Sequence, residues 1–179
     1  YERYGYMKGQ IQLAADNYPL YVAENAPNVK LTINGREVTF ENAETPEEFA
    51  ALRAKLNSEY ISQYKDVNPA LLNKYLFTRI RQEDRNAAIS FAANITKERE
   101  SQLATERSDG LIVELNSSTP QAISDFILNH PKGVTAGRAE AISIIEAGVK
   151  AGTIDPQKLL DALNENVQTD GGYNGPLSG

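Results

Sequence analysis

The chain has 179 residues, of which 41% are hydrophobic, and this apolar content is enough for the packed core of one domain or of two small domains. A formal net charge of -6 argues against a general nucleic-acid-binding surface, because phosphate binding requires a positive patch. The chain contains no cysteine, which excludes disulfides and thiolate metal sites, and no apolar run approaches the roughly 18 residues that a membrane-spanning helix needs.

The first predicted element is an amino-terminal helix. Its apolar side recurs at helical spacing through Tyr4, Met7, Ile11 and Ala14. Gly5 and Gly9 lie four apart on a neighbouring face, a spacing that permits close approach of another helix, although ordinary helix packing is the alternative. We expect Pro19 to end this helix or to begin a loop.

A β-hairpin is predicted from Val29 to Phe40. Asn34 and Gly35 form a two-residue turn between alternating segments, and both turn positions require positive φ, which these two residues tolerate. One side of the hairpin is apolar and must be covered, since an isolated hairpin is only marginally stable in water. We expect it to fold onto the helices or to join a neighbouring subunit.

Two helices follow, joined by a very short corner. Thr45, Pro46 and Glu48 have the spacing of a capping box and begin a helix that runs to about Lys65. Asn68 and Pro69 then cap and begin a much longer helix. Because the connection is so short, the two helices are expected to form an antiparallel pair.

The long helix is predicted to run from Asn68 to Arg107, about 60 Å at ~1.5 Å per residue. An apolar stripe passes along it through Leu72, Leu76, Ile80, Ala87, Phe91 and Ile95. A charged band interrupts the stripe, which argues against a continuous two-stranded coiled coil. The band indicates a solvated face with ion pairs within the helix, and a local basic patch is the alternative.

The carboxyl-terminal part is predicted to consist of short helices. The apolar residues after Arg107 favour a helix that continues past a kink at Gly110, and a short strand is the alternative. The later helices are expected to begin at Thr119, Thr135 and Asp155, with Gly152 as a left-handed helix end.

These elements predict a mainly α fold, a helical array with one long helix and a small β-hairpin insertion near the amino terminus. We divide it into residues 1–44, the amino-terminal helix and hairpin; residues 45–118, a long helical hairpin; and residues 119–179, a region of short helices. The first residue is Tyr1 and the last residues resemble a turn, so we interpret the sequence as a segment of a longer chain.

The sequence predicts no catalytic, cofactor-binding or metal-binding residue. His130 has no partner at the fixed spacing of zinc or general-base histidines and is assigned a loop or helix-end role. Glu59, Glu98 and Glu100 could be nominated as glycosidase acids, but each is better explained as helix surface. No phosphate-binding loop, dinucleotide fingerprint or nucleophile elbow occurs.

Subunit contacts are the remaining candidate function for particular side chains. The charged band of the long helix and the tyrosines near the corner are suited to contacts, because tyrosine buries area while keeping a polar tip. The candidates are Arg79, Arg81, Glu83, Asp84, Arg85, Tyr60, Tyr64 and Tyr75. For the tyrosines, packing at helix ends is an equally good explanation.

The order of elements resembles that of the internal virion proteins of short-tailed phages of the T-seven type, specifically the middle-sized core protein that is ejected into the host envelope. The segments that carry this resemblance are Asp84 to Phe91 and Ala147 to Leu163. The hairpin Val29 to Phe40 departs from the expected pattern.

The resemblance implies a non-enzymatic component of the DNA-ejection assembly. Such a protein is stored in the virion, reassembles as a ring or tunnel in the host periplasm with other ejection proteins, and passes DNA without sequence-specific binding. Long helices with short helices at their ends suit rings of identical subunits, and a negative surface suits a DNA tunnel because it repels the passing polyanion. The alternatives are a peptidoglycan-cleaving enzyme fragment and a tape-measure or scaffolding segment.

Overall fold

A computed structural model of the protein describes the backbone of residues 2–170 and the side chains of residues 2–164. The predicted turn at the end of the chain, after residue 170, lies outside the described residues. The chain forms two compact units, Tyr1–Glu98 and Arg99–Gly179, and the boundary falls inside the long helix. The division into residues 1–44, 45–118 and 119–179 stays a prediction.

The prediction of a mainly α fold with an amino-terminal hairpin is confirmed. The elements are α1 (Glu2–Asn25), a 3₁₀ turn (Ala26–Asn28), β1 (Leu31–Ile33), β2 (Arg36–Val38), α2 (Pro46–Ile61), a 3₁₀ turn (Ser62–Tyr64), α3 (Pro69–Leu71), a π-helical segment (Leu72–Phe77), α4 (Thr78–Asn116), α5 (Ala122–Leu128), α6 (Val134–Ala151) and α7 (Pro156–Asp170).

The prediction that Pro19 ends the first helix is wrong, since α1 continues to Asn25. A proline inside a helix costs about 3 kcal/mol because it removes a backbone hydrogen bond. Tertiary contacts on both sides of Pro19 offset this cost. The hydroxyl of Tyr18 donates to a side chain of α2, and that of Tyr21 donates to the carbonyl oxygen of Leu56 at 3.0 Å.

The hairpin has the predicted turn. Asn34 and Gly35 adopt φ of 52° and 79°, and Leu31 of β1 pairs with Val38 of β2 in antiparallel register. Its apolar side packs on the helices of the first unit, in a core of Val29, Val38, Ala43, Leu52 and Leu56. The hairpin is therefore covered within its own chain.

The capping box at the start of α2 forms as predicted. The Thr45 hydroxyl accepts from the Glu48 amide, and the Glu48 carboxylate accepts from the Thr45 amide. Phe49 of α2 stacks on Phe91 of α4, whereas Arg53, which comes later in α2, contacts Asp84, which comes earlier in α4. The two helices are thus antiparallel, as expected.

The long helical region begins at the predicted position, where the Asn68 side chain accepts from the Ala70 amide at 2.8 Å. Its first turns include the π-helical segment, which the sequence did not predict, and α4 then runs for 39 residues. It passes Gly110 without interruption and ends at Asn116, so the helical interpretation beyond Arg107 is correct, whereas the predicted end of the long helix at Arg107 is wrong. In the predicted stripe, the first three members are buried and the later ones are only half-buried.

The second unit packs the end of α4 with α5, α6 and α7 around a core that includes Leu111, Leu115, Ile123, Ala141 and Ile154. Within it, α6 passes so close to the end of α5 that a Cβ added at Gly137 would lie 2.9 Å from the carbonyl oxygen of Ile127.

Only some of the predicted helix starts and ends in this unit are confirmed. Asp155 caps α7 through its contact with the Gln157 amide at 2.9 Å, and Gly152 is left-handed with φ 79°. The predicted helix start at Thr135 lies within one residue of the observed start of α6 at Val134, whereas the predicted cap at Thr119 is wrong. The residue that precedes α5 is Gln121, and Gly133 precedes α6, without a side-chain cap in either case.

None of the described helices is both long enough and apolar enough to cross a membrane.

Candidate functional site: an open groove between α2 and α4

A long concave feature of the first unit lies along the antiparallel pair α2 and α4. Two depressions of about 590 Å³ and about 300 Å³ adjoin there, and both are lined by Ala54 and Asp84. We call this continuous feature the α2/α4 groove. Its lining is mainly apolar or small, with Phe49, Ala50, Ala54, Ser58, Ile61, Phe77, Ile80, Ala88 and Phe91.

A network of polar side chains forms the floor of the groove. The Arg53 Nε donates to Asp84 Oδ1 at 2.8 Å, and the Asn57 amide donates to both oxygens of the same carboxylate at 3.0 and 2.9 Å. Arg53 also donates through Nη2 to the Tyr18 hydroxyl at 3.1 Å. Arg53 and Asn57 are buried, so Asp84 supplies the negative charge that makes the burial of the guanidinium tolerable.

The Tyr18 hydroxyl stays protonated in this network. Burial raises the pKa of Tyr18 to about 12, and the nearby Arg53 charge opposes that increase only in part. At neutral pH the phenol therefore donates to Asn57 while it accepts from Arg53.

The rims of the groove are cationic, although the protein as a whole is acidic. Lys65, Arg81 and Arg85 are exposed and line it. In the described part of the chain none of the three forms an ion pair. Arg81 makes long contacts from Nη2 to the side chains of Asn73 and Thr78, at 3.4 and 3.5 Å.

The predicted contact residues of the charged band do not form one patch. Arg81, Asp84 and Arg85 line the α2/α4 groove. Arg79 forms the expected ion pair within the helix, its Nε lying 3.1 Å from Glu83 Oε1.

The three tyrosines named as contacts are also separated. Tyr75 shares a depression against α1 with Arg79, and the ammonium groups of Lys8 and Lys74 lie 5.9 and 5.3 Å from its ring centroid. Tyr64 is half-buried.

Tyr60 belongs to the core of the first unit. It is 5% exposed, its hydroxyl donates to the carbonyl oxygen of Ala14 at 2.5 Å, and its ring packs against Tyr18, Tyr21 and Tyr64. Burial raises the pKa of its phenol. The alternative interpretation of the sequence, packing at a helix end, describes its position in this chain.

His130 has a partner that the sequence did not reveal. The buried ring places Nε2 at 2.5 Å from Glu140 Oε2, and Nδ1 accepts from the Lys132 amide at 3.1 Å. Arg107 contacts the other oxygen of Glu140 at 3.5 Å. These contacts tie the end of α5 and the end of α4 to α6. No local pattern could have indicated them, because the acid lies on another helix.

The carboxylates considered as glycosidase acids, Glu59, Glu98 and Glu100, are all exposed. Among residues 2–164, no group of three or more acidic or histidine side chains is arranged to hold a metal ion. An apolar trough with charged rims, such as the α2/α4 groove, is the form that receives an amphipathic helix.

Comparison with protein families, with curated proteins and with solved structures finds no match to this chain. The resemblance to the internal virion proteins therefore stays a prediction.

Proposed function

We propose that this protein is a non-enzymatic structural component of a phage DNA-ejection assembly, and that identical copies form a ring or tunnel across the host periplasm. The proposal places the protein in the virion before infection and in the host envelope afterwards. Its partners are further copies of itself and other ejection proteins.

The observation that carries the proposal is the α2/α4 groove, which the described residues leave open. A trough lined by Phe49, Ile61, Phe77 and Phe91 exposes apolar area that a partner helix would remove from water. The groove also contains three members of the charged band that the sequence nominated for subunit contacts. Both features favour an assembly protein.

The acidic character of the chain supports the second part of the proposal. A net charge of -6 disfavours adhesion to DNA, so a lumen formed by such subunits would let the polyanion pass. DNA is thus a passing cargo and is not read by sequence.

The test is the mass of the particle in solution, measured by light scattering after gel filtration. The unaltered chain is expected to form oligomers, and Ala54→Glu, which places a charge in the apolar groove, is expected to shift them toward monomers. Ala93→Glu is the matched control, because Ala93 is also exposed on a helix of the first unit but does not line the groove. Monomers of the unaltered chain at all concentrations would contradict the proposal.

A further inference from the structure

Helix α1 has an exposed apolar stripe on the side that faces away from its own core. Tyr6, Leu13 and Leu20 follow one another at a spacing of seven, so they share one side of the helix. They are 68%, 60% and 59% exposed. The opposite side of α1 is buried in the core of the first unit through Ile11 and Tyr18.

The charged side chains beside this stripe are mainly acidic. Glu2 and Glu24 lie at its two ends, and Asp16 lies beside its middle, at helical spacing from Leu13 and Leu20. All three are exposed. Within the described residues none of the three forms an ion pair.

The stripe of α1 and the α2/α4 groove are complementary in charge and in polarity. The groove is an apolar trough with Lys65, Arg81 and Arg85 on its rims, whereas the stripe is an apolar ridge with acids beside it. Neither set forms an ion pair with another described residue. Opposite charges around matching apolar surfaces favour association and fix its register.

We infer that α1 of one copy of this chain binds in the α2/α4 groove of a second copy. The inference rests on the proposed function and names its contact surface. Tyr6, Leu13 and Leu20 cover the apolar lining of the groove, and the acids beside them meet the rim cations.

The dimensions of the two surfaces agree. From Tyr6 to Leu20 the stripe is about 21 Å long, and the 16 residues of α2 correspond to about 24 Å. Small side chains at Ala50, Ala54 and Ala88 line the groove and let a third helix approach at a normal interaxial distance of ~8–10 Å.

The glycines of α1 fit the same contact. Gly5 and Gly9 are exposed next to the stripe, and a Cβ added at either would meet nothing within 4 Å. Packing within the described chain therefore does not require them. Beside a partner helix, the absence of a side chain permits the close approach that their spacing predicted.

The contact uses two different surfaces, since none of the stripe residues lines the groove. Each copy therefore offers one groove and one stripe. A contact of this kind is heterologous and propagates from copy to copy. It gives a ring when the rotation closes and a filament when it does not. The proposed contact thus supplies a physical route to the ring.

Charge reversal tests the contact. The groove variant is Lys65→Glu with Arg85→Glu, and the stripe variant is Asp16→Lys with Glu24→Lys. All four residues are exposed, and folding is checked by circular dichroism. Each variant alone brings like charges together, so we expect its apparent dissociation constant to rise at least about tenfold.

A matched control separates this contact from the effect of net charge. Lys97→Glu with Lys132→Glu makes the same change in net charge as the groove variant, and both lysines are exposed outside the groove and outside α1. This control should associate as the unaltered chain does. An equal loss of association in the control and in the groove variant would overturn the inference.

Mixing the two variants is the decisive step. In the mixture every acidic groove can meet a basic stripe, and every basic groove can meet an acidic stripe, so association should return as particles in which the two variants alternate. A mixture that stays dissociated overturns the inference. If both variants still form oligomers as the unaltered chain does, this contact is overturned but the proposed function is not. If the unaltered chain never associates, the proposed function is overturned as well.

Discussion

Asp84 shows how one side chain can serve both the fold and a surface. Its carboxylate balances the charge of the buried Arg53 and accepts a hydrogen bond from the buried Asn57. Even so, 35% of the Asp84 side chain remains exposed at the groove. The charged band therefore contains three kinds of residue, a structural acid at Asp84, the intrahelical pair of Arg79 with Glu83, and the cations Arg81 and Arg85, which form no ion pair within the described residues.

We expect Asp84→Ala to reduce the free energy of unfolding by about 2 kcal/mol, because it leaves a buried guanidinium without its counter-charge while the partial exposure of the pair moderates the loss. Glu83→Ala is the neighbouring control. It breaks only a more exposed pair with Arg79 and should cost less than about 0.5 kcal/mol. Urea denaturation measures both. Equal losses in the two variants would contradict the structural role of Asp84.

The buried phenol of Tyr18 predicts a loss of stability in alkali. Its pKa is raised from 10.0 to about 12, so the unfolded chain releases this proton first. The contribution of Tyr18 is complete below pH 10 and is lost as pH rises from about 10 to 12.

The measurement is tyrosinate absorbance recorded together with circular dichroism. Part of the phenolate signal should appear only as the helices unfold, and Tyr18→Phe should remove part of the decline in unfolding free energy. Ionisation of all tyrosines near pH 10 without unfolding would contradict the burial of this group.

Among the helices, the close contact of α5 and α6 depends on Gly137. An added Cβ would meet the Ile127 backbone and the Cβ of His130 within about 3 Å, and backbone cannot give way as a flexible side chain can. Gly137→Ala should therefore lower the free energy of unfolding by about 1–3 kcal/mol.

Gly110→Ala is its control in the same unit. That position lies inside α4 with open space around it, so alanine should raise stability by about 0.5–1 kcal/mol. Thermal unfolding of the two variants compares them directly. Destabilisation by both would mean that Gly110 has a contact absent from this structure.

Local signals explain which elements could be predicted. The turn at Asn34 and the caps at Thr45 and Asn68 were predicted because each depends on neighbours within four residues. The end of the first helix at Pro19 was predicted incorrectly because distant contacts from α1 to α2 stabilise the turns around it.

The groove and the polar pairs could not be predicted from the sequence, because they form only when the helices pack together. Arg53 with Asp84, and His130 with Glu140, join residues on different helices, and no spacing rule relates them. Arg81 and Arg85 of the rim were identified as charged helix residues, but Lys65 was not, and only the packing of α2 against α4 places all three beside an apolar trough.

The exposed stripe of α1 shows a different limit of prediction from the sequence. Tyr6, Leu13 and Leu20 recur every seven residues, which is a local signal, but a second apolar set that includes Ile11 and Ala14 recurs on another side of the same helix. Only burial distinguishes the two sets, because the structure buries Ile11 and Ala14 and leaves the stripe exposed.

The molecule taken as a whole is acidic, and its charge predicts weak interaction with DNA. We expect the purified chain to show no tight binding to duplex DNA at physiological salt, because its net charge of -6 repels phosphate. Titration at several salt concentrations measures this. Tight binding that weakens steeply with salt would contradict a tunnel that passes DNA without holding it.

The proposed assembly depends on copies of this chain joining through the α2/α4 groove. Electron microscopy of the purified 179-residue chain is the sharpest test, because an image of the particle gives both the symmetry and the neighbours of each copy. We predict closed rings of identical copies in which α1 of the adjacent copy fills the groove. A preparation without particles larger than one chain, or an assembly that leaves the groove facing solvent, would contradict this prediction.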